Sequence, residues 1–176
     1  HPHESSLIFP LDIPVLFFGE VMGIKINILL IYLAGITGIF LYSRKKFYPE
    51  KIPVILTVFY YIINLHFWSS LKSGNYNELL PFIFPLLLYL YEKGKKKAVW
   101  LYISSILMSF LVFFGKFSLV FAIGLIFIFS AHDSLKRWSK KNIQKSMKPV
   151  MYFFVFVLLV CIFSIFKALP MYILVK

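Results

Sequence analysis

Cysteine and acidic side chains are scarce in this sequence. The 176 residues include one cysteine, and they carry seven Asp and Glu against 19 Lys and Arg. A single cysteine excludes an internal disulfide framework and a metal site built on cysteines. Cys161 lies within an apolar run, so we predict that it is buried and acts as a small hydrophobic residue.

Motifs of enzymes and of cofactor sites are absent as well. The chain has no Gly-rich phosphate loop, no His-Glu-x-x-His zinc motif and no nucleophile elbow. His1-Pro2-His3 resembles the start of a metal site, but no third or fourth ligand follows at a defined spacing. We therefore predict no metal and no other cofactor.

Apolar residues, by contrast, are abundant. Hydrophobic types make up 60% of the chain, with 21 Phe and 11 Tyr, and the mean hydropathy is +0.83. One soluble core of this size could not bury so much apolar surface, whereas helices that face lipid can expose it. The sequence predicts an all-α, polytopic transmembrane bundle of about six helices, at residues 24–43, 52–71, 79–91, 98–114, 117–131 and 150–169.

The breaks between these runs alternate between rich and poor in cations. Fourteen of the 19 Lys and Arg lie within 44–51, 93–97 and 136–148, whereas the other breaks hold Lys72 or Lys116 alone. The positive-inside rule places the rich breaks in the cytoplasm and both chain ends outside. Although the net charge of +12 would favour nucleic acid in a soluble protein, this clustering is typical of loops that contact anionic lipid. We predict the lipid bilayer as a partner and no nucleic acid.

The first 23 residues differ from the rest of the chain. Within 7–23, the apolar sequence is interrupted by Pro10, Asp12, Pro14 and Glu20, which a regular spanning helix would not tolerate. We predict an external or interfacial segment at 1–23 and a transmembrane bundle at 24–176. In the first span, Gly35 and Gly38 have a spacing that permits close approach of another helix.

Most carboxylates fall on the predicted outer side, so we look for a binding site there. Lys116 occupies a very short break between two apolar runs, where a cation could contact a phosphate or could mark a tight hairpin. His66 lies beside Trp68 near the outer end of the second span, either as an interfacial anchor or as a functional group. With Lys72, these residues form the predicted substrate-binding set; the catalytic residues stay unknown.

The layout of the chain resembles one family of membrane enzymes. The stretch Asn75-Tyr76-Asn77-Glu78-Leu79-Leu80-Pro81-Phe82 is followed by a span, the basic turn Glu92–Lys97, another span, and Gly115-Lys116-Phe117-Ser118. This order is similar to the middle of bacterial O-antigen ligases and polymerases. The entry through Gly23-Ile24-Lys25-Ile26 into a span that ends at Ser43-Arg44-Lys45-Lys46 resembles the region after the first helix in that family.

The resemblance implies a glycosyltransferase of polysaccharide biosynthesis in the bacterial inner membrane. Such an enzyme transfers a glycan from an undecaprenyl-pyrophosphate carrier at the outer face, with cationic groups on the pyrophosphate and without a metal. Family members have Ser-Arg where this chain has Gly115-Lys116, and Lys lacks the bidentate geometry of Arg. Their large external loop would come after Lys176, so the resemblance implies that this chain is an N-terminal portion and is inactive alone.

Two other functions fit the same layout. One is a small six-helix transporter or substrate-capture subunit, and the other is a membrane scaffold without enzymatic activity. The enzyme needs a long external loop and further spans, whereas the alternatives need neither.

Overall fold

The computed structural model describes residues 13–73, 76–112, 116–136 and 143–174, and these are helical without any β-strand. The predicted all-α class is therefore confirmed. The described residues form seven α-helices and one 3-10 helix, in this order: α1 Ile13–Phe47, α2 Ile52–Ile62, α3 Leu65–Ser73, the 3-10 helix Tyr76–Ile83, α4 Phe84–Gly94, α5 Ala98–Val112, α6 Lys116–Lys136 and α7 Ile143–Leu174.

Among the described residues, three segments are long and apolar enough to cross a membrane. They are Ile13–Phe47, Ile52–Lys72 and Met147–Ile165, with mean hydropathies of 2.0, 1.5 and 2.3. The shorter apolar helix Ala98–Ser109 adds to this pattern. Such segments are typical of an integral membrane protein, whereas six crossings and their orientation stay predictions.

The observed helices depart from the predicted spans at two places. The predicted span 52–71 coincides with the apolar segment Ile52–Lys72, but its helix is interrupted at Ile63 and Asn64, between α2 and α3. The predicted span 79–91 begins in the 3-10 helix, which contains Pro81. Pro85 then occupies the first turn of α4, where its missing N–H removes no helical hydrogen bond.

Helix α1 is bent sharply at Gly19, which has φ 76° and ψ 170°. Glycine adopts this left-handed conformation without steric cost. A β-carbon at Gly23 would overlap the Cα atom of Val15, so the first turn of α1 folds back against the turn that follows the bend. Residues 13–23 are thus helical but not one straight helix; residues 1–12 of the predicted external segment lie outside the described part.

The predicted close approach at Gly35 and Gly38 is confirmed. A β-carbon at Gly38 would overlap the backbone of Leu86, and one at Gly35 would lie 2.6 Å from the carbonyl oxygen of Phe82. Since Gly35 pairs with Phe82 and Gly38 with Leu86, α1 and α4 run in the same direction.

Packing around this pair divides the bundle into two apolar clusters. One joins α1, α3 and the 3-10 helix through Ile31, Phe67, Leu79, Phe82 and Ile83. The other joins α4, α5, α6 and α7 through Leu87, Tyr91, Leu101, Met108, Ile126, Phe153, Phe156 and Val160. Cys161 belongs to neither cluster: it is exposed on α7, so the prediction that it is buried is wrong.

Ion pairs bring the cation-rich connections together at one end of the bundle. Lys45, at the end of α1, contacts Glu92 at the end of α4. Lys95, in the turn after α4, contacts Asp133 near the end of α6. We call this the cationic end. Helix α3 belongs to the opposite end, beyond the interruption at Asn64.

Candidate functional site

Helix α3 carries two of the three predicted binding residues, His66 and Lys72. His66 is exposed, as is Lys72, the penultimate residue of the helix. Their positions, six residues apart, point about 120° away from each other around a helix. Lys116 is the first residue of α6, but its side chain lies outside the described residues. His66 and Lys72 therefore do not form a common site.

The interruption before α3 is stabilised by polar contacts. The Asn64 side-chain oxygen accepts hydrogen bonds from the backbone N–H groups of His66 and Phe67, at 3.0 and 3.4 Å. This is an N-cap, which satisfies donors that a new helix leaves free. The carbonyl oxygen of Ile62 accepts from the Tyr32 hydroxyl at 3.3 Å and from the Trp68 indole at 3.2 Å.

Aromatic rings close around these hydrogen bonds. The ring of Tyr32 lies 5.0 Å from that of Phe67 and 5.9 Å from that of Phe82. The Tyr61 hydroxyl donates to the carbonyl oxygen of Phe82, in the 3-10 helix. An interruption that would otherwise expose backbone groups is therefore covered by side chains from α1, α2, α3 and the 3-10 helix.

The cationic end holds the more extensive set of charged contacts. Lys95 Nζ donates to Glu92 Oε1 at 2.6 Å and to Asp133 Oδ2 at 2.9 Å, with a side chain that is 13% exposed. Lys45 Nζ reaches the other oxygen of Glu92 at 3.5 Å. Each partly buried carboxylate thus has a cation within reach, as partly buried charges require.

Lys95 is held in its charged form. Burial alone would lower its pKa, but the hydrogen bonds to Glu92 and Asp133 outweigh burial and raise the pKa above its ordinary value. The ammonium group also lies 5.2 Å from the centre of the Tyr91 ring, whose hydroxyl shares a hydrogen bond of 2.8 Å with Ser130. These contacts tie α4 to α6.

A recess lies beside this network, between the ends of α1 and α4. It has a volume of about 440 Å³ and is lined by Leu41, Arg44, Lys45, Tyr48, Tyr89, Lys93 and Lys96. We call it the basic recess, because four of its lining residues are cations and its described lining contains no carboxylate. Lys93 Nζ lies over the rings of Tyr89 and Trp100, at 4.9 and 4.6 Å.

A smaller recess lies on the other side of Arg44 and Tyr48. It has a volume of about 330 Å³ and contains a carboxylate, Glu50, together with the cation Lys51. Its mixed charge makes it a natural reference for the basic recess. The two recesses share Arg44 and Tyr48 but differ in the charges that the neighbouring segments contribute.

The sequence predicts a site on the outer side and a topological role for the basic clusters. It does not predict the roles of Glu92, Lys95 and Asp133, although Glu92 and Lys95 are three residues apart and such residues are neighbours on a helix. Among the described residues, no group of three His, Cys, Asp or Glu could hold a metal ion; His1-Pro2-His3 lies outside them.

Searches of protein-family models, curated proteins and solved structures found no match to this chain.

Proposed function

We propose that the chain is a multi-pass protein of the bacterial inner membrane that captures phosphate-bearing anionic lipid at its cationic end. The bundle crosses six times, with the cation-rich connections in the cytoplasm and both ends outside. This proposal specifies the ligand of the substrate-capture alternative, and it requires no catalytic residue.

The basic recess is the observation that carries this proposal. Arg44, Lys45, Lys93 and Lys96 line one cavity between two neighbouring helices. Basic pockets between transmembrane helices on the cytoplasmic side suit anionic head groups. Tyr48 and Tyr89 add amphipathic rings, which favour the level of the lipid head groups.

Lipid dependence of stability tests the capture step. The full chain, purified in a neutral detergent, is heated with added phosphatidylglycerol or with added phosphatidylcholine. A ligand that binds the folded state raises Tm, so we expect the anionic lipid to raise Tm more. The double variant Arg44→Gln, Lys93→Gln should lose this difference, whereas Lys51→Gln in the smaller recess should keep it. Equal shifts with both lipids would refute the proposal.

Thiol labelling tests the orientation. In a Cys161→Ser background, Lys96→Cys marks the cationic end and His66→Cys marks α3, and both native side chains are exposed. An impermeant reagent applied from outside should label the cysteine at position 66 and spare that at 96. The reverse pattern would invert the topology.

The glycan-ligase hypothesis stays a prediction. It requires a pyrophosphate contact at Lys116 on the outer face. In the intact protein, Lys116→Ala should lower transfer from the undecaprenyl-pyrophosphate carrier by about ten- to a hundredfold, and Lys116→Arg should retain it. Unchanged transfer at normal membrane levels would leave Lys116 as a topology marker.

A further inference from the structure

The cations of the basic recess are arranged as two pairs, one on each wall. Arg44 and Lys45 are consecutive residues near the end of α1. Lys93, in α4, and Lys96, in the turn that follows, form the other pair. With the adjoining Lys95, Glu92 and Asp133, the recess and network contain five cations and two carboxylates, which leaves three positive charges. One phosphate monoanion would compensate only one of these three positive charges.

Lys45 can contact an anion in the recess while Glu92 keeps a cationic partner. Its ammonium group is 3.5 Å from Glu92, whereas Lys95 is 2.6 Å from the same carboxylate. The Lys45 side chain is 35% exposed, against 13% for Lys95. Because Lys95 holds Glu92 at the shorter distance, Lys45 can turn toward an anion in the recess.

An apolar face of α1 ends at Arg44, which lines the basic recess. Leu30, Leu33 and Phe40 are exposed, and they share one helix face with Arg44, because their spacings of three, four and seven residues repeat with the helical period. A ligand with acyl chains can lie along this face while its head group occupies the recess. A soluble phosphate compound would gain nothing from it.

We propose that the basic recess selects a lipid with two phosphates, such as diphosphatidylglycerol (cardiolipin), over lipids with one. This inference rests on the proposed capture of anionic lipid. One phosphate contacts Arg44 and Lys45 on α1, the other contacts Lys93 and Lys96 at the end of α4, and the acyl chains follow the exposed face of α1. Lys45 is a specificity-determining residue, since it completes the pair of cations on α1.

Fluorescence of Trp100 can measure this selection, because its ring contacts Lys93 at the edge of the recess. In the full chain with Trp68→Phe and Trp138→Phe, Trp100 is the remaining tryptophan. The protein is placed in phosphatidylcholine vesicles that contain either cardiolipin or phosphatidylglycerol, each brominated near the head group. We expect half-maximal quenching at a phosphate concentration about tenfold lower for cardiolipin, equivalent to one extra charge-assisted contact.

Two variants separate selection from general attraction. Lys45→Gln should reduce the ratio of the two half-maximal concentrations about fivefold, as expected for one basic group near anionic lipid. Lys51→Gln, its match in the smaller recess, should leave the ratio unchanged. An equal fall in both variants would show that the cations act through general attraction, and would overturn the role of Lys45.

The outcomes also distinguish this inference from the proposed function. If both anionic lipids quench equally per phosphate, capture of anionic lipid stands and the selection of two phosphates is refuted. If neither quenches more than brominated phosphatidylcholine, the proposed function itself fails. Soluble pyrophosphate should not displace cardiolipin at an equal concentration; displacement would overturn the assignment to a lipid.

Discussion

The two ends of the bundle satisfy their polar groups by different means. At the cationic end, Lys95 joins two carboxylates on different helices, with hydrogen bonds of 2.6 and 2.9 Å. At the opposite end, the interruption at Asn64 is covered by an N-cap, by hydroxyl and indole donors, and by packed rings. The first arrangement uses formal charge and tolerates water, whereas the second uses neutral groups that suit an apolar surrounding.

This difference bears on function. The hydrogen bonds at the Asn64 interruption join neutral groups, so they produce little net electrostatic potential there. The cationic end, in contrast, has an excess of cations beside its ion pairs. We therefore expect an anionic ligand to prefer the cationic end, although the sequence predicts a binding site on the other side. Variants at each end, and at the helix contact between them, can test this contrast.

Removing Lys95 should affect stability most. Lys95→Met deletes the cation that both Glu92 and Asp133 contact, and losing one member of a buried ion pair costs about 3–5 kcal/mol. We expect about 3 kcal/mol, since the three side chains keep some exposure. Unfolding of the purified protein in detergent measures this loss. Lys96→Met, in the same turn, should change stability by less than about 0.5 kcal/mol, and equal losses in both variants would remove the special role of Lys95.

Gly38→Ala probes the contact between α1 and α4 that both ends share. A β-carbon there overlaps backbone atoms of Leu86, which cannot rotate away, so the helices must separate. We expect a loss of about 2 kcal/mol in unfolding free energy, typical of an overpacked core. Gly124→Ala is the matched control, because a β-carbon at Gly124 would meet no atom within 4 Å; it should be neutral or stabilising. Similar losses in both would contradict the close approach.

Asn64→Ala tests the opposite end. The variant loses the side-chain cap of α3, which costs about 1 kcal/mol at a typical helix N-terminus. Asn64→Ser keeps an acceptor oxygen and should recover most of the loss in the same unfolding measurement. If serine fails to rescue, the cap is not what stabilises the interruption.

The smallest expected effect is the response of the Lys95 network to alkaline pH. The pKa of Lys95 is raised above 10.5 in the folded chain, so its contribution is fully present below the unfolded pKa of about 10.4. The stability difference between the native chain and Lys95→Met should stay constant from neutral pH to about pH 10 and decline only above that. A decline near neutral pH would show that Lys95 is not held in its charged form.

Local patterns in the sequence account for much of the fold. The apolar runs predicted α5, α6 and α7, and the spacing of Gly35 and Gly38 predicted the close approach. The interruption at Asn64 could not be seen, since residues 54–71 include no proline and no glycine. It depends on Tyr32 and Phe82, which are distant in sequence. The pairing of Lys95 with Asp133, 38 residues apart, was hidden for the same reason.

The interruption between α2 and α3 also implies an order of biogenesis. Its partners lie on both sides in the chain: Tyr32 is synthesised before it, but the carbonyl group of Phe82 is synthesised after it. The segment Ile52–Lys72 therefore leaves the ribosome before the acceptor for the Tyr61 hydroxyl exists. We expect the contact between Tyr61 and Phe82 to form only after this segment has entered the bilayer, so that translocation precedes the final packing of the segment.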